Sequence, residues 1–359
     1  MFSTHRVALG TLVAQCVDVA TRIEADSLFR EGDDVLANVQ TALDRGVPFG
    51  DVARCVGFEG DSRRVGELTY AALAEARTMY RLSAGAFDPT VAPVTDLWRR
   101  CGAAGRVPSS DALEYAARLV DGSRMRLDGD SRTVRLERGQ SLSLAGLARG
   151  FAADHLVDAY GRAGVASAFV NVGGRIRIIG PHPGHGPWSL AVPDPNDASH
   201  ALTRPGGPRS AASIAPPAHR RLATLRLSGS RSEADPTNRG SRAGRGLAVV
   251  TRMLGPSVAG SHGRHVLGVS ATIDPRTGLP VSGDLAAATI VASSASFADA
   301  LALAVLVLGL EEGMQLVDSL PGVDGLIVTR RGTVVMTHGL SSICHPAKGV
   351  RSDRFRIWG

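Results

Sequence analysis

The sequence predicts an α+β fold, with mixed sheets, packed helices and a ligand cleft. Strand-like runs come in clusters between separated helical patterns and do not alternate one for one with them. Apolar residues make up 44% and charged residues 21%, the balance of an ordinary globular chain. One helical pattern, 296–308, is apolar on nearly every face and so belongs at the centre.

In chain order, residues 7–17 alternate loosely and read as a strand. Helical spacing follows over 28–43 (Val35, Leu36, Val39, Leu43) and over 64–82 (Val65, Leu68, Ala72, Ala76, Met79). Gly85 and Pro89 punctuate the next segment as a turn. Ser110 is placed to cap a short helix over 111–119. Asp128-Gly129-Asp130 joins two runs, 125–127 and 134–136, as a hairpin. A helix is expected over 146–162, then strands at 167–172, 175–179 and 188–192. Strand patterns return at 223–227, 247–251, 266–273 and 286–292. The apolar helix 296–308, a helix over 311–320 and a hairpin (325–329, 333–337) complete the ordered part. Residues 1–192 and 247–340 therefore form two parts of one domain, split by an insertion at 193–246 and followed by a tail at 341–359 that carries no pattern.

Charge is distributed unevenly. The net charge is +6, and residues 193–246 alone carry nine Arg against four acidic residues in a Ser-, Gly- and Pro-rich context. That composition predicts a solvated, disordered insertion. The rest is almost neutral, which argues against nucleic-acid binding. All but one of the 40 basic residues are Arg, the exception being Lys348. The longest apolar run, 300–310, falls short of the roughly 18 residues that span a bilayer. Four scattered cysteines suggest neither a zinc site nor a disulfide framework. Gln15 before Cys16 stands where a lipoprotein cleavage site needs a small residue. The expected compartment is the cytoplasm.

Three clusters can carry chemistry. In Ser83-Ala-Gly-Ala86-Phe87-Asp88-Pro-Thr90, small residues allow close ligand approach, Phe87 offers a stacking face and Asp88 an acceptor; the same residues also make a helix-ending turn with a core Phe. In Ser143-Leu-Ala-Gly146-Leu-Ala-Arg149-Gly150, followed by Asn171-Val-Gly173-Gly174-Arg175, a Gly-rich helix entry with Arg149 in its first turn makes an anion site, or simply a capped helix with a surface Arg. The third is Ile273-Asp274-Pro-Arg276-Thr-Gly278, a tight turn, followed by Asp299. Asp299 is the single charge between 293 and 310. A lone buried carboxylate is costly unless it is paired, bound to a metal or used as a helix cap.

These clusters, in this order, resemble the ApbE family of FAD:protein FMN transferases. The segments are Gly10-Thr11, SAGAFDPTVAPVTDLW, SLAGLARGFAADHL, VNVGGRIRIIG, PWSLAVPDP, IDPRTGLPV and FADALALAVLVLG, spread over residues 7–339. The resemblance implies that FMN moves from FAD to a Thr or Ser hydroxyl of an acceptor flavoprotein, with release of AMP and with Mg²⁺ as the cation. It places Leu9, Ala86, Phe87, Asp88, Ser143, Arg149 and Ile273 at cofactor-binding positions and Asp274 and Arg276 beside the cleft as catalytic candidates. Gly146, Asp299 and Leu303 fall at metal positions, although the Leu303 side chain has no donor. The family usually has Asp at Ser143, Lys at Arg149, an acid at Arg175 and Thr at Leu303. Two alternatives follow from those differences: a flavin-binding protein without transferase activity, and an FAD pyrophosphatase in which water replaces the acceptor hydroxyl.

Overall fold

A computed structural model of the chain describes residues 1–55, 60–183, 186–195, 221–227, 247–254 and 272–359. Most of the Arg-rich insertion and of the strand expected over 266–273 lies outside them.

The chain opens with a hairpin, β1 (Phe2–Ala8) and β2 (Thr11–Val17), and not with one strand over 7–17. Leu9 (φ 51°) and Gly10 (φ 66°) take the left-handed conformation that a two-residue hairpin turn requires. The turn is hard to read because Leu seldom occupies such a position. Helix α1 (Arg22–Leu43) starts earlier than expected, at a Thr21 cap that accepts the Glu24 N–H at 3.2 Å. Short α2 (Asp51–Cys55) and β3 (Ser62–Arg64) lead to α3 (Glu67–Leu82). Helix α4 (Ala92–Ala103) has no counterpart in the sequence reading. Its Pro93 sits in the first turn, where the missing N–H does no harm, and reads in sequence as a breaker. Helix α5 (Ser110–Arg118) is capped by Ser109, one residue before the expected cap.

The hairpin β4 (Arg126–Asp128) and β5 (Thr133–Arg135) pairs with β3. Then come α6 (Ala148–Arg162), β6 (Ala168–Val172), β7 (Arg175–Ile179), β8 (Trp188–Pro193), β9 (Arg221–Leu227), β10 (Leu247–Met253) and β11 (Leu285–Ala292). Helices α7 (Ala295–Leu308) and α8 (Leu310–Asp318) precede β12 (Asp324–Thr329) and β13 (Val334–Met336). The tail, patternless in sequence, supplies two strands: β14 (Cys344–Pro346) pairs with β9 and β15 (Phe355–Ile357) with β13. Three residues are too few for alternation to register.

Among the described residues, nine strands form one sheet in the order β1-β2-β6-β7-β10-β11-β12-β13-β15, antiparallel except for the last pair. Strand alternation gives this sheet two buried faces. On β7, Arg175, Arg177 and Ile179 face the helices α1, α3, α6 and α7, while Ile176 and Ile178 face a small sheet, β14-β9-β8. The result is three layers. Helix α7 lies against β10, β11, α6 and α3, which bury most of its apolar surface, while Leu303 and Leu306 line a cleft. Helices α6 and α7 approach closely at Gly150, where a Cβ would overlap the Ala295 carbonyl and come within 2.7 Å of the Ser296 nitrogen. No helix among the described residues is long and apolar enough to cross a membrane.

Candidate active site

The site begins with the start of α7. Ser294 is its N-cap, with Oγ accepting the Phe297 N–H at 3.2 Å. The Asp154 carboxylate, from α6, accepts the N–H groups of Ala295 and Ser296 at 2.8 Å each. With its first N–H groups satisfied from outside, α7 holds Asp299 one turn further in, fully buried. Asp299 is therefore not a cap. Its Oδ1 receives Arg175 Nε at 2.8 Å and Arg252 Nε at 2.7 Å. Strand register explains why both arginines arrive there. Arg175 on β7 stands opposite Val250 on β10, and Arg252, two residues further along β10, projects from the same face toward α7.

Each guanidinium makes a second contact. Arg175 Nη1 donates to the Gly173 carbonyl at 2.7 Å, and Arg252 Nη2 donates to the Gly146 carbonyl at 2.7 Å. Arg149 stands beside them, half-buried. Burial lowers the pKa of Arg149 and holds that of Arg175 down to about 10, with Asp299 opposing the shift in both, so both remain cationic near neutral pH.

The pairing of Gly146 and Asp299 implied by the resemblance is thus present, but a magnesium ion does not fit between them. Arg252 already bridges the Gly146 carbonyl and Asp299 Oδ1, and Leu303 presents carbon. Asp299 Oδ2 is the oxygen with no partner among the described residues. One open oxygen beside two guanidiniums is far from the six-oxygen shell this ion takes.

The arginines of this cluster form part of the wall of a cleft of about 1250 Å³, while Asp299 itself lies buried behind them and does not line it. Ala86, Phe87, Ser143, Gly146, Arg149, Ile273 and Leu303 all line it, as does Asp88. The Asp88 carboxylate is engaged in holding the turn. Oδ1 accepts the Thr90 N–H at 2.7 Å and hydroxyl at 2.6 Å, and Oδ2 accepts the Gly122 N–H at 2.8 Å. Burial pushes its pKa up despite these donors.

Asp274 and Arg276 do not line the cleft, although Pro275 between them does. They pair with each other, Arg276 donating from Nε at 3.0 Å and Nη2 at 2.9 Å. Their turn is tethered to α4, where Trp98 Nε1 donates to the Gly278 carbonyl at 2.8 Å. Leu9 lies at the β1–β2 turn, outside the cleft lining, its N–H donating to Gln40 Oε1 at 3.1 Å.

Sequence reasoning did not single out Arg252, Trp188 or His182, which also line the cleft. Trp188 and His182 meet edge to face at 4.7 Å. For Arg252 the signal exists only through pairing, because its parity with Arg175 is set by the β7–β10 register.

Comparison with known proteins identifies the family. The sequence pattern of the ApbE family matches residues 9–221 and 248–327. The FAD:protein FMN transferase of Treponema pallidum is 29% identical over 269 residues, covering 72% of this chain and 65% of the relative. That of Vibrio cholerae is 25% identical over 254 residues, 70% and 64% respectively. The chain thus spans just under two-thirds of these relatives. The crystal structure of the ApbE protein from Thermotoga maritima superposes with a TM-score of 0.71 at 25% identity, covering 93% of this chain and 96% of that one. Apo Pseudomonas stutzeri flavinyl transferase ApbE shares the fold with a TM-score of 0.72 at 21% identity, covering 95% and 97%.

Proposed function

Because the chain belongs to the ApbE family, we propose that it is an FAD:protein FMN transferase acting on a Thr or Ser hydroxyl of an acceptor flavoprotein. The observation that carries this is the make-up of the cleft wall, which combines apolar and aromatic side chains such as Ile273, Leu303 and Trp188 with Arg149, Arg175 and Arg252. An apolar, aromatic surface suits a flavin ring, and a guanidinium group suits a diphosphate. In the reaction the acceptor oxygen bonds to the FMN-side phosphorus, the bond from that phosphorus to the bridging oxygen breaks, AMP leaves, and the hydroxyl proton passes to solvent.

The chain's residues divide the work in three ways. The apolar side chains of the cleft wall, backed by Phe87, which is itself buried in the core, bind the flavin. The arginines hold the diphosphate and neutralise charge as it moves onto the AMP leaving group. The Asp274–Arg276 turn, held by Trp98 at the rim, orients the acceptor segment. The magnesium implied by sequence resemblance has no place in this scheme, since Arg252 already takes Asp299 Oδ1 and the Gly146 carbonyl. The four free, buried thiols suit a reducing compartment, and the cytoplasm remains the proposed location.

The test is incubation of the full chain with FAD and an acceptor flavoprotein domain. AMP release together with covalent flavin fluorescence on the denatured acceptor is the expected result. FMN and AMP formed without acceptor would assign a pyrophosphatase, and FAD recovered intact would assign a binding protein.

A further inference from the structure

Resting on the transferase reading of the same cleft, we infer that Arg252 is a built-in replacement for a divalent cation, so that FAD is bound and its diphosphate neutralised without added metal. Four observations converge on this residue. Arg252 bridges a fully buried carboxylate and a backbone carbonyl, Asp299 Oδ1 at 2.7 Å and Gly146 O at 2.7 Å. That is the bridging position a hard cation would take between the same two oxygens. Arg252 also lines the cleft, together with Arg149 and Arg175, so its outer surface is available to a ligand. Leu303, about one helical turn beyond Asp299 and lining the same cleft, carries no oxygen. The local charge already matches the ligand. Three guanidiniums against one carboxylate leave two positive charges, equal to the two negative charges of a dinucleotide's diphosphate.

The arrangement is also rigid. Arg175 donates to the same Asp299 Oδ1 and is itself anchored on the Gly173 carbonyl at 2.7 Å. The Arg252 guanidinium, held at Nε and Nη2, presents its remaining N–H groups in one plane, which favours a forked contact with phosphate oxygens. A bound ion would have to be recruited from solution, whereas this charge is delivered by the chain as it folds.

Calorimetric titration of the full chain with FAD, once in excess EDTA and once in magnesium chloride, tests the inference. Equal affinity in the two buffers is expected. Arg252→Met should weaken FAD binding about ten- to a hundredfold, the loss of one or two charge-assisted hydrogen bonds, and Arg252→Lys should recover part of it. The double variant Arg252→Met with Leu303→Thr should bind FAD in a magnesium-dependent way. FAD binding by the unmodified chain that requires magnesium would overturn the inference and leave the transferase reading standing, as would an Arg252→Met protein, folded by circular dichroism, that binds FAD undiminished. Absence of FAD binding in both buffers would overturn the transferase reading itself, and the inference with it.

Discussion

Asp154, on one helix, accepts the backbone N–H of Ala295, the first residue of another, at 2.8 Å. The same carboxylate accepts the Ser294 hydroxyl at 2.9 Å and lies 2.8 Å from Arg177 Nε, while Arg177 Nη1 reaches the Ser293 carbonyl at 2.5 Å. A single side chain therefore joins the sheet, α6 and the start of α7, and α7 carries Asp299.

Replacing Asp154 by Ala should remove a cap and leave Arg177 buried beside no counter-charge. The expected loss is about 3–5 kcal/mol, from breaking a buried ion pair and uncapping a helix. Asp154→Asn, which keeps one acceptor, should lose less. Urea unfolding of the two variants beside the unmodified chain checks both the size and the order.

Gly150→Ala addresses the α6–α7 crossing. The new methyl group would collide with the backbone of Ala295 and Ser296, neither of which is the flexible end of a side chain. Overpacking of this kind costs about 1–3 kcal/mol. The two helices must separate, so thermal unfolding should shift downward and FAD affinity should fall along with it. Gly161→Ala on the same helix, where nothing lies within 4 Å, is the matched control and should leave FAD affinity unchanged while raising stability by about 0.5–1 kcal/mol, the ordinary gain of Ala over Gly in a helix.

A pH dependence follows from Asp51. Burial pushes its carboxyl upward, but the Gly66 N–H at 2.7 Å, the Thr69 hydroxyl at 2.9 Å and Arg54 outweigh that and hold it below its ordinary value. In this region the folded state binds fewer protons than the unfolded chain. The stabilisation is complete above the unfolded pKa, near ~4, and is lost as pH falls through the lower folded value. Asp51→Asn should destabilise the protein at pH 7 by about 1–2 kcal/mol, from weakened hydrogen bonds. The difference should shrink toward zero as the pH falls through that lower folded value, and unfolding midpoints across the acid range measure it.

Much of the fold was legible because its elements are long or strongly patterned. The helices ending at Leu43 and Leu82, and the fully apolar α7, carry enough periodic residues to stand out. Elements that escaped did so for identifiable reasons. The turn at Leu9 needs a backbone conformation that Leu rarely adopts, α4 hides behind Pro93, and the tail strands are three residues each.

The site divides in the same way. Ala86, Phe87, Ser143, Gly146, Arg149 and Ile273 lie in contiguous motifs, and the structure brings all of them to one cleft. Asp299 was expected to be paired, metal-bound or capping, and the structure selects pairing. Its partners could not be chosen from sequence. Arg175 was visible as a positive charge after two glycines, but Arg252 comes into range only when β10 pairs with β7 in a particular register.

The bond from Trp98 to Gly278 gives this protein its own optical gauge. Because the indole N–H is satisfied by the very turn that carries Asp274 and Arg276, any incoming protein that lifts the turn must expose that N–H to water. Such a displacement would change the colour of the Trp98 emission, so docking can be watched in real time once Trp188 and Trp358 are replaced by Phe.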